Sequence, residues 1–214
     1  MYISRVEIDR NNRRKIKDLR NIESYHGWVE QSFPDEIKQE IRTRKLWRID
    51  QLQGKQYLII VSQEKPNLKQ LEKYGVKNSA QTKDYDHFLN SLKEGERMRF
   101  RLVLNPVISR TSKDNNHKRG VLMPHVTVKH QMEYLMNRSM KNGFALRDDD
   151  FSIVERGYEV FNKTHSKSIR LIKAVYEGIL IVNDVELFKK VLTEGIGKKK
   201  AYGFGLMTVI PVGD

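Results

Sequence analysis

"IRLIKAVYEGILIVNDVELFKKVLTEG", residues 169–195, is the stretch from which the fold can be read. It opens as a long aliphatic run of strand character. Asn183 or Asp184 then stands where a helix N-cap belongs, and an amphipathic helix follows, with Gly195 placed to close it. Just upstream, "FSIVERGYEVF" (151–161) is a second strand run, joined to the first by the polar turn "NKTHSKS". Downstream, "GLMTVIPV" (205–212) reads as a closing strand. Earlier still, "RMRFRLVLNPV" (97–107) alternates basic and apolar side chains, as a strand does. "ISRTSKDNNHKRG" is loop-like, and Val128, Met132, Leu135, Met136 and Met140 form a helical stripe. The order is β-α-β-β-α-β, the ferredoxin-like arrangement and the plan of the RNA-recognition motif.

The first half echoes this order. Tyr2, Val6 and Ile8 alternate around Ser4 as a strand, and Ser24 can cap a helix beginning at Tyr25. Tyr25, Trp28, Val29, Ser32 and Phe33 share one helix face, His26 sits one step off it, and Pro34 marks the end. "RKLWRIDQL" and "KQYLIIVSQ" flank Gln53-Gly54 as a β-hairpin. "PNLKQLEKYG" is a short helix ended by Gly75, with a further strand over Thr82 to Phe88. The expected fold class is α+β, two tandem ferredoxin-like (βαββαβ) domains over residues 1–90 and 97–214.

Composition narrows the partners. Forty Lys and Arg against 27 Asp and Glu give a net charge of +13, which favours a polyanion and a salt-dependent grip. Nucleic acid leads, with an anionic membrane second. No apolar run approaches the ~20 residues of a membrane span, and "MYISRVEIDR" reads as a strand, not a signal peptide. The absence of cysteine excludes disulfides and thiolate metal sites, and a cytoplasmic address is the default.

Two segments carry candidate chemistry. "GIGKKKAYGFG", Gly195 to Gly205, puts four glycines and three consecutive lysines between a helix and a strand. Gly195, Gly197, Gly203 and Gly205 would let a phosphate approach the backbone while Lys198, Lys199 and Lys200 add charge. A C-cap followed by a flexible turn with solvated lysines explains the same residues. A nucleoside-triphosphate loop is excluded, because that motif runs from strand to helix. The second segment is "NIESYHGWVEQSF", which follows six basic residues and one acid between Arg10 and Arg20. An imidazole there can serve as general acid or base near neutral pH.

The other histidines offer less. His87 reads as a structural residue of a strand, while His117 and His165 lie in polar loops beside lysines. His125 and His130 are five apart, the wrong spacing for a helical metal pair, so no metal and no cofactor are expected. Basic side chains cluster twice more, as Arg110, Lys113, Lys118 and Arg119, and as Lys163, His165, Lys167 and Arg170 on a hairpin tip. They suit the phosphates of structured RNA, whose deep major groove admits side chains poorly. The aromatic signature of an RNA-recognition motif is absent.

The C-terminal pattern of Gly195, Ile196, Gly197, Lys200, Gly203 and Gly205, followed by Leu206 and Met207, resembles the glycine-rich signature of CRISPR repeat-processing endoribonucleases of the CasE type. "MYISRVEI", "RFRLVLNPV" and "YEGILIVND" resemble further stretches of that family, in family order. The resemblance implies a protein that binds the hairpin repeat of precursor CRISPR RNA. It would cleave at the hairpin base without metal, by 2′-hydroxyl attack, leaving a 2′,3′-cyclic phosphate or 3′-phosphate and a 5′-hydroxyl. It would keep the guide for assembly with other Cascade subunits and be a monomer when free. The resemblance places the catalytic histidine at His26 and makes Tyr25 a candidate second residue. Two alternatives remain: a non-catalytic RNA-binding subunit of a ribonucleoprotein, and a basic DNA-binding protein.

Overall fold

The computed structural model describes residues 1–110, 120–161 and 169–213. The first unit runs β1 (Tyr2–Glu7), α1 (Arg13–Ile16), α2 (Ile22–Gln31), α3 (Pro34–Lys38), β2 (Lys45–Leu52), β3 (Lys55–Ser62), α4 (Leu68–Leu71) and β4 (Gln81–Asp84). Its antiparallel sheet has the order β4-β1-β3-β2, as the ferredoxin-like plan requires. Gln53 and Gly54 both take positive φ, the two-residue turn whose twist matches the strands on either side. Trp28, Val29 and Phe33 pack with Val6, Leu58, Ile60 and Leu71 in one core, and the Trp28 indole N–H donates to the Leu71 carbonyl at 3.1 Å.

The helix expected from Tyr25 begins earlier. Asn21 is its cap, and its Oδ1 accepts from the Ser24 N–H at 3.0 Å and from the Ser24 hydroxyl at 3.1 Å. Asn caps as well as Ser does, and it comes first in the chain. His26 therefore lies in the second turn of α2.

After α5 (Asp86–Ser91), the second unit runs β5 (Arg97–Leu104), β6 (Val107–Arg110), β7 (Val121–Pro124), α6 (Val128–Ser139), β8 (Phe144–Ala145), β9 (Phe151–Phe161), β10 (Ile169–Val182), α7 (Val185–Glu194) and β11 (Met207–Pro211). The sheet order β11-β5-β10-β9 repeats that of the first unit, with β8 beside the end of β10. Asp184 caps α7 through the Leu187 N–H at 2.9 Å.

Three expectations are corrected. The strand expected over Thr82 to Phe88 stops at Asp84, whose carboxylate accepts from the Asp86 N–H at 2.7 Å and turns the chain into α5. His87 is thus an exposed helical residue. The segment read as loop from Ile108 is in part a hairpin, with Val107–Arg110 paired to Val121–Pro124. On α6 the buried side chains are Gln131, Tyr134, Leu135 and Ser139, while Val128 and Met140 are exposed. Gln131 is satisfied inside: its amide donates to the His125 carbonyl at 2.7 Å and accepts from Arg156 at 2.9 Å. The middle of the expected stripe, Met132, Leu135 and Met136, still packs on the core, while Gln131, Tyr134 and Ser139 widen the buried face and the two ends of the stripe fall outside it.

A buried ion pair fixes α3 to β2. The Lys45 ammonium lies 2.7 Å from Glu36, whose carboxylate also accepts from the Thr43 N–H at 3.0 Å. Burial would raise the Glu36 carboxyl, but the hydrogen bonds from Lys45 and Thr43 outweigh it and hold the group below its ordinary range. A depressed folded value stabilises above the unfolded value, about 4.3, and that stability is lost as pH falls through the folded value. Glu36→Gln should therefore lower the melting temperature at neutral pH and lessen its decline below about pH 4. Melting curves from pH 7 to 2.5 read this; parallel pH profiles for the two proteins would contradict it.

The two units are locked by β2. The Arg48 guanidinium, only 2% exposed, donates to the Arg101 and Leu206 carbonyls at 2.8 and 2.9 Å and to the Thr208 hydroxyl at 2.7 Å. Asp50 takes its other donors at 2.7 and 2.6 Å. Beside it, the Trp47 indole N–H donates to the Ala201 carbonyl at 3.0 Å. The glycine-rich loop is thereby held against the first unit.

Candidate functional site

The loop after α7 is stapled at its neck. The Ile196 N–H donates to the Gly205 carbonyl at 3.1 Å, and the Gly205 N–H donates to Val103 on β5 at 2.7 Å. Ile196 and Phe204 are buried at either side of the neck, so residues 197–203 form a loop closed at its base. Its tip is a short 3₁₀ turn, Lys200–Tyr202, flanked by positive φ at Lys199 and Gly203. A Cβ on Gly203 would lie 3.0 Å from the Trp47 ring, and one on Gly205 would lie 2.5 Å from the Ile196 carbonyl. These two glycines are required for close packing. The phosphate-cradling role expected of Gly205 is corrected, because it is buried.

The three lysines divide. Lys198 and Lys199 are exposed, whereas Lys200 turns inward and donates to the Glu194 carbonyl at the end of α7 at 2.8 Å. Burial, followed by the neighbouring Arg44 guanidinium, lowers the Lys200 ammonium from its ordinary value. Arg44 itself reaches the same carbonyl at 3.4 Å. Lys200 is a loop anchor, and Lys198 and Lys199 are the exposed cations of this loop.

His26, partly exposed on α2, meets that loop. Its ring centroid is 5.8 Å from that of Tyr202, with the planes tilted by 60°. The Lys199 ammonium stands 5.9 Å from the same Tyr202 ring. An imidazole, an aromatic wall and an exposed ammonium thus converge from the two ends of the chain. Chemically, the set can move one proton and offer positive charge beside it.

Tyr25 faces another way. It stacks on Trp47 with centroids 6.1 Å apart and planes 22° from parallel, and packs against Trp28 at 6.3 Å. Burial pushes its phenol up, against Arg10, which lowers it, and with Glu159, which raises it further. At neutral pH Tyr25 is a neutral hydroxyl, suited to hydrogen bonding and not to acting as a phenolate base.

The remaining candidates are dispersed. Arg110 is exposed at the end of β6, and Arg170 lies over the Tyr158 ring at 4.4 Å at the start of β10. Lys113, His117, Lys118, Arg119, Lys163, His165 and Lys167 lie outside the described residues. His125 and His130 have ring centroids 5.9 Å apart, and burial, then His130 and the arginines nearby, push His125 down. Among the described residues, no group of three or more His, Cys, Asp or Glu is placed to hold a metal ion. No helix among them is long and apolar enough to cross a membrane. Sequence reasoning missed Tyr202. Its signal was one aromatic residue between lysines and glycines in an otherwise polar loop, which the glycine pattern overshadowed.

Fold and site together define a protein of two ferredoxin-like units, with the first long helix of one facing the last loop of the other. The chain belongs to the family described as CRISPR associated protein, whose profile matches residues 1–211. It is 26% identical over 224 residues to the CRISPR-associated endoribonuclease Cse3 of Thermus thermophilus, covering 99% of this chain and 100% of that protein. A structure of CRISPR endoribonuclease Cse3 bound to 19 nt RNA superposes with a TM-score of 0.80 at 22% identity, covering 98% and 99% of the two chains. The CRISPR-associated protein Cas6e from Escherichia coli gives 0.69 at 22% identity, covering 99% and 100%. At these identities the structural likeness establishes the fold.

Proposed function

We propose that the chain is a metal-independent endoribonuclease of the cytoplasm that cleaves precursor CRISPR RNA at the base of the repeat hairpin. It would retain the guide for assembly with other Cascade subunits. The observation that carries this reading is the 5.8 Å approach of His26 to Tyr202, which joins the family's helix to its glycine-rich loop. The name of the Thermus thermophilus relative supports it.

RNA supplies its own nucleophile. The 2′-oxygen attacks the adjacent phosphorus, its proton leaves, and the bond from phosphorus to the 5′-oxygen breaks as that oxygen gains a proton. The products are a 2′,3′-cyclic phosphate and a 5′-hydroxyl. His26 serves one or both of these proton transfers, and Lys199 and Lys198 stabilise the charge that develops on the phosphate oxygens. The neutral Tyr25 hydroxyl can orient a ligand but takes no proton. Exposed Arg110 and Arg170 grip phosphates, as do the basic residues at 113–119 and 163–167.

Incubation with a hairpin repeat RNA in excess EDTA tests the chemistry. Cleavage is expected to persist, and to stop when the nucleotide 5′ to the cut carries 2′-deoxyribose. Loss of cleavage in EDTA would refute metal independence, and cutting of the deoxy substrate would refute 2′-hydroxyl attack. Retained binding without any cleavage would favour a purely RNA-holding subunit.

A further inference from the structure

A cavity of about 370 Å³ opens between the start of α2 and the β9–β10 pair, and it is not part of the reaction just described. Tyr25 and Tyr202 both line it, so it shares the Tyr202 ring with His26. Ile22 and Val103 add apolar surface. Its charged lining is Arg20, Arg48, Lys173 and Glu159. Lys173 lines the cavity, but its ammonium is offset by Glu155 at 2.7 Å and by Glu159, itself a lining residue, at 3.4 Å. The Glu159 carboxylate is also close enough to raise the Tyr25 phenol.

A phosphate would meet the Glu159 carboxylate here, a lysine already shared between two glutamates, and the Arg48 guanidinium, whose donors are committed to Asp50, two carbonyls and the Thr208 hydroxyl. A neutral flat ring would instead meet tyrosine and aliphatic walls, with a carboxylate to accept from ring N–H or amino groups. Exposed Arg20 at the rim can take the phosphate attached to such a ring. Because the Tyr202 ring both lines this space and lies 5.8 Å from the His26 ring, one nucleotide can straddle that ring, base on one side and reacting phosphate on the other.

Resting on the endoribonuclease reading above, we infer that this cavity binds the extruded nucleobase of the nucleotide whose 2′-hydroxyl attacks. In a stacked A-form strand the 2′-oxygen is not in line with the departing 5′-oxygen. Drawing the base out of the stack frees the ribose to rotate into line, as enzymes that extrude bases do for other ends. The cavity therefore contributes to cut-site choice as well as to affinity.

A protein–RNA double-mutant cycle tests this. The cut is first mapped with the wild-type protein in EDTA, which identifies the attacking nucleotide. Binding is then measured for two uncleavable hairpins, one with 2′-deoxyribose at that nucleotide and one with a deoxy abasic site there. Base removal should weaken binding by wild-type protein on the order of tenfold. It should matter far less to Glu159→Ala, which loses the acceptor, and to Ile22→Trp, which fills the space; melting curves verify that each is folded. Equal losses in wild-type and variant proteins, or no loss in wild type, would overturn the pocket while leaving the nuclease intact. A Glu159→Ala protein that binds both hairpins more tightly, increasingly so at low salt, would mean that the cavity takes phosphate and would also overturn it. Failure of wild-type protein to cut the all-ribose hairpin would remove the enzymatic reading, and the pocket with it.

Discussion

His26→Ala is expected to slow single-turnover cleavage of the hairpin repeat by about 10²–10⁴-fold, with RNA binding unchanged. The size of the loss is that of a general acid or base removed from an otherwise complete site, since the lysines and the RNA geometry remain. Binding should survive because α2 is held by Trp28 and Val29, both buried, and by its Asn21 cap, none of which involves the imidazole. Tyr202 provides a graded companion test. Tyr202→Phe keeps the ring against His26 and should keep most of the rate, whereas Tyr202→Ala removes the wall that orients the imidazole and should shift the pH–rate profile as well as lower the rate. Cleavage by His26→Ala within threefold of wild type would sink the assignment. Equal losses of rate and of affinity would show that His26 grips RNA without serving the chemistry.

The doubled ferredoxin-like order was legible in the chain because its strands and helices announce themselves locally. The run from Ile169 to Gly195 contains a strand, a capped helix and its stop in succession, and each is where the pattern places it. The misreadings come from competition between neighbouring signals. Ser24 and Asn21 are both good caps, and the earlier one prevails. Asp84 ends the strand expected to run to Phe88, because its carboxylate captures the Asp86 N–H. Gln131 joins the buried face of α6 beside Met132 and Met136 because two hydrogen bonds satisfy its amide, which no periodicity reports. For the site, each half could be seen alone, His26 beside an apolar stripe and the lysines among glycines. Their meeting through Tyr202 depends on how two sheets pack, and the glycines at 203 and 205 look like ligand-binding positions until Trp47 and Ile196 are seen against them.

Arg48→Ala is expected to cost about 3–5 kcal/mol of stability, the range for breaking a buried, fully hydrogen-bonded charge by removing one partner. The guanidinium serves four acceptors on three strands: Asp50 on β2, the Arg101 carbonyl on β5, and the Leu206 carbonyl and Thr208 hydroxyl where β11 begins. Alanine leaves two carbonyls without these donors inside the protein. Among the described residues, Asp50 then keeps only the Arg101 guanidinium, at 3.2 Å. Arg48→Lys should recover little, because one ammonium cannot reproduce a planar fork that spans both units. Denaturant unfolding monitored through Trp28 and Trp47 reads the loss; a change under about 1 kcal/mol would mean that solvent replaces these bonds cheaply. The damage should reach the reaction too. The same strand carries Trp47, which holds Ala201 at 3.0 Å and presses on Gly203, so loosening β2 frees the turn that sets Tyr202 against His26. Under conditions where Arg48→Ala remains folded, its cleavage rate should fall further than its affinity for the hairpin, because Arg110 and Arg170, proposed above to grip phosphate, are exposed and lie outside this joint.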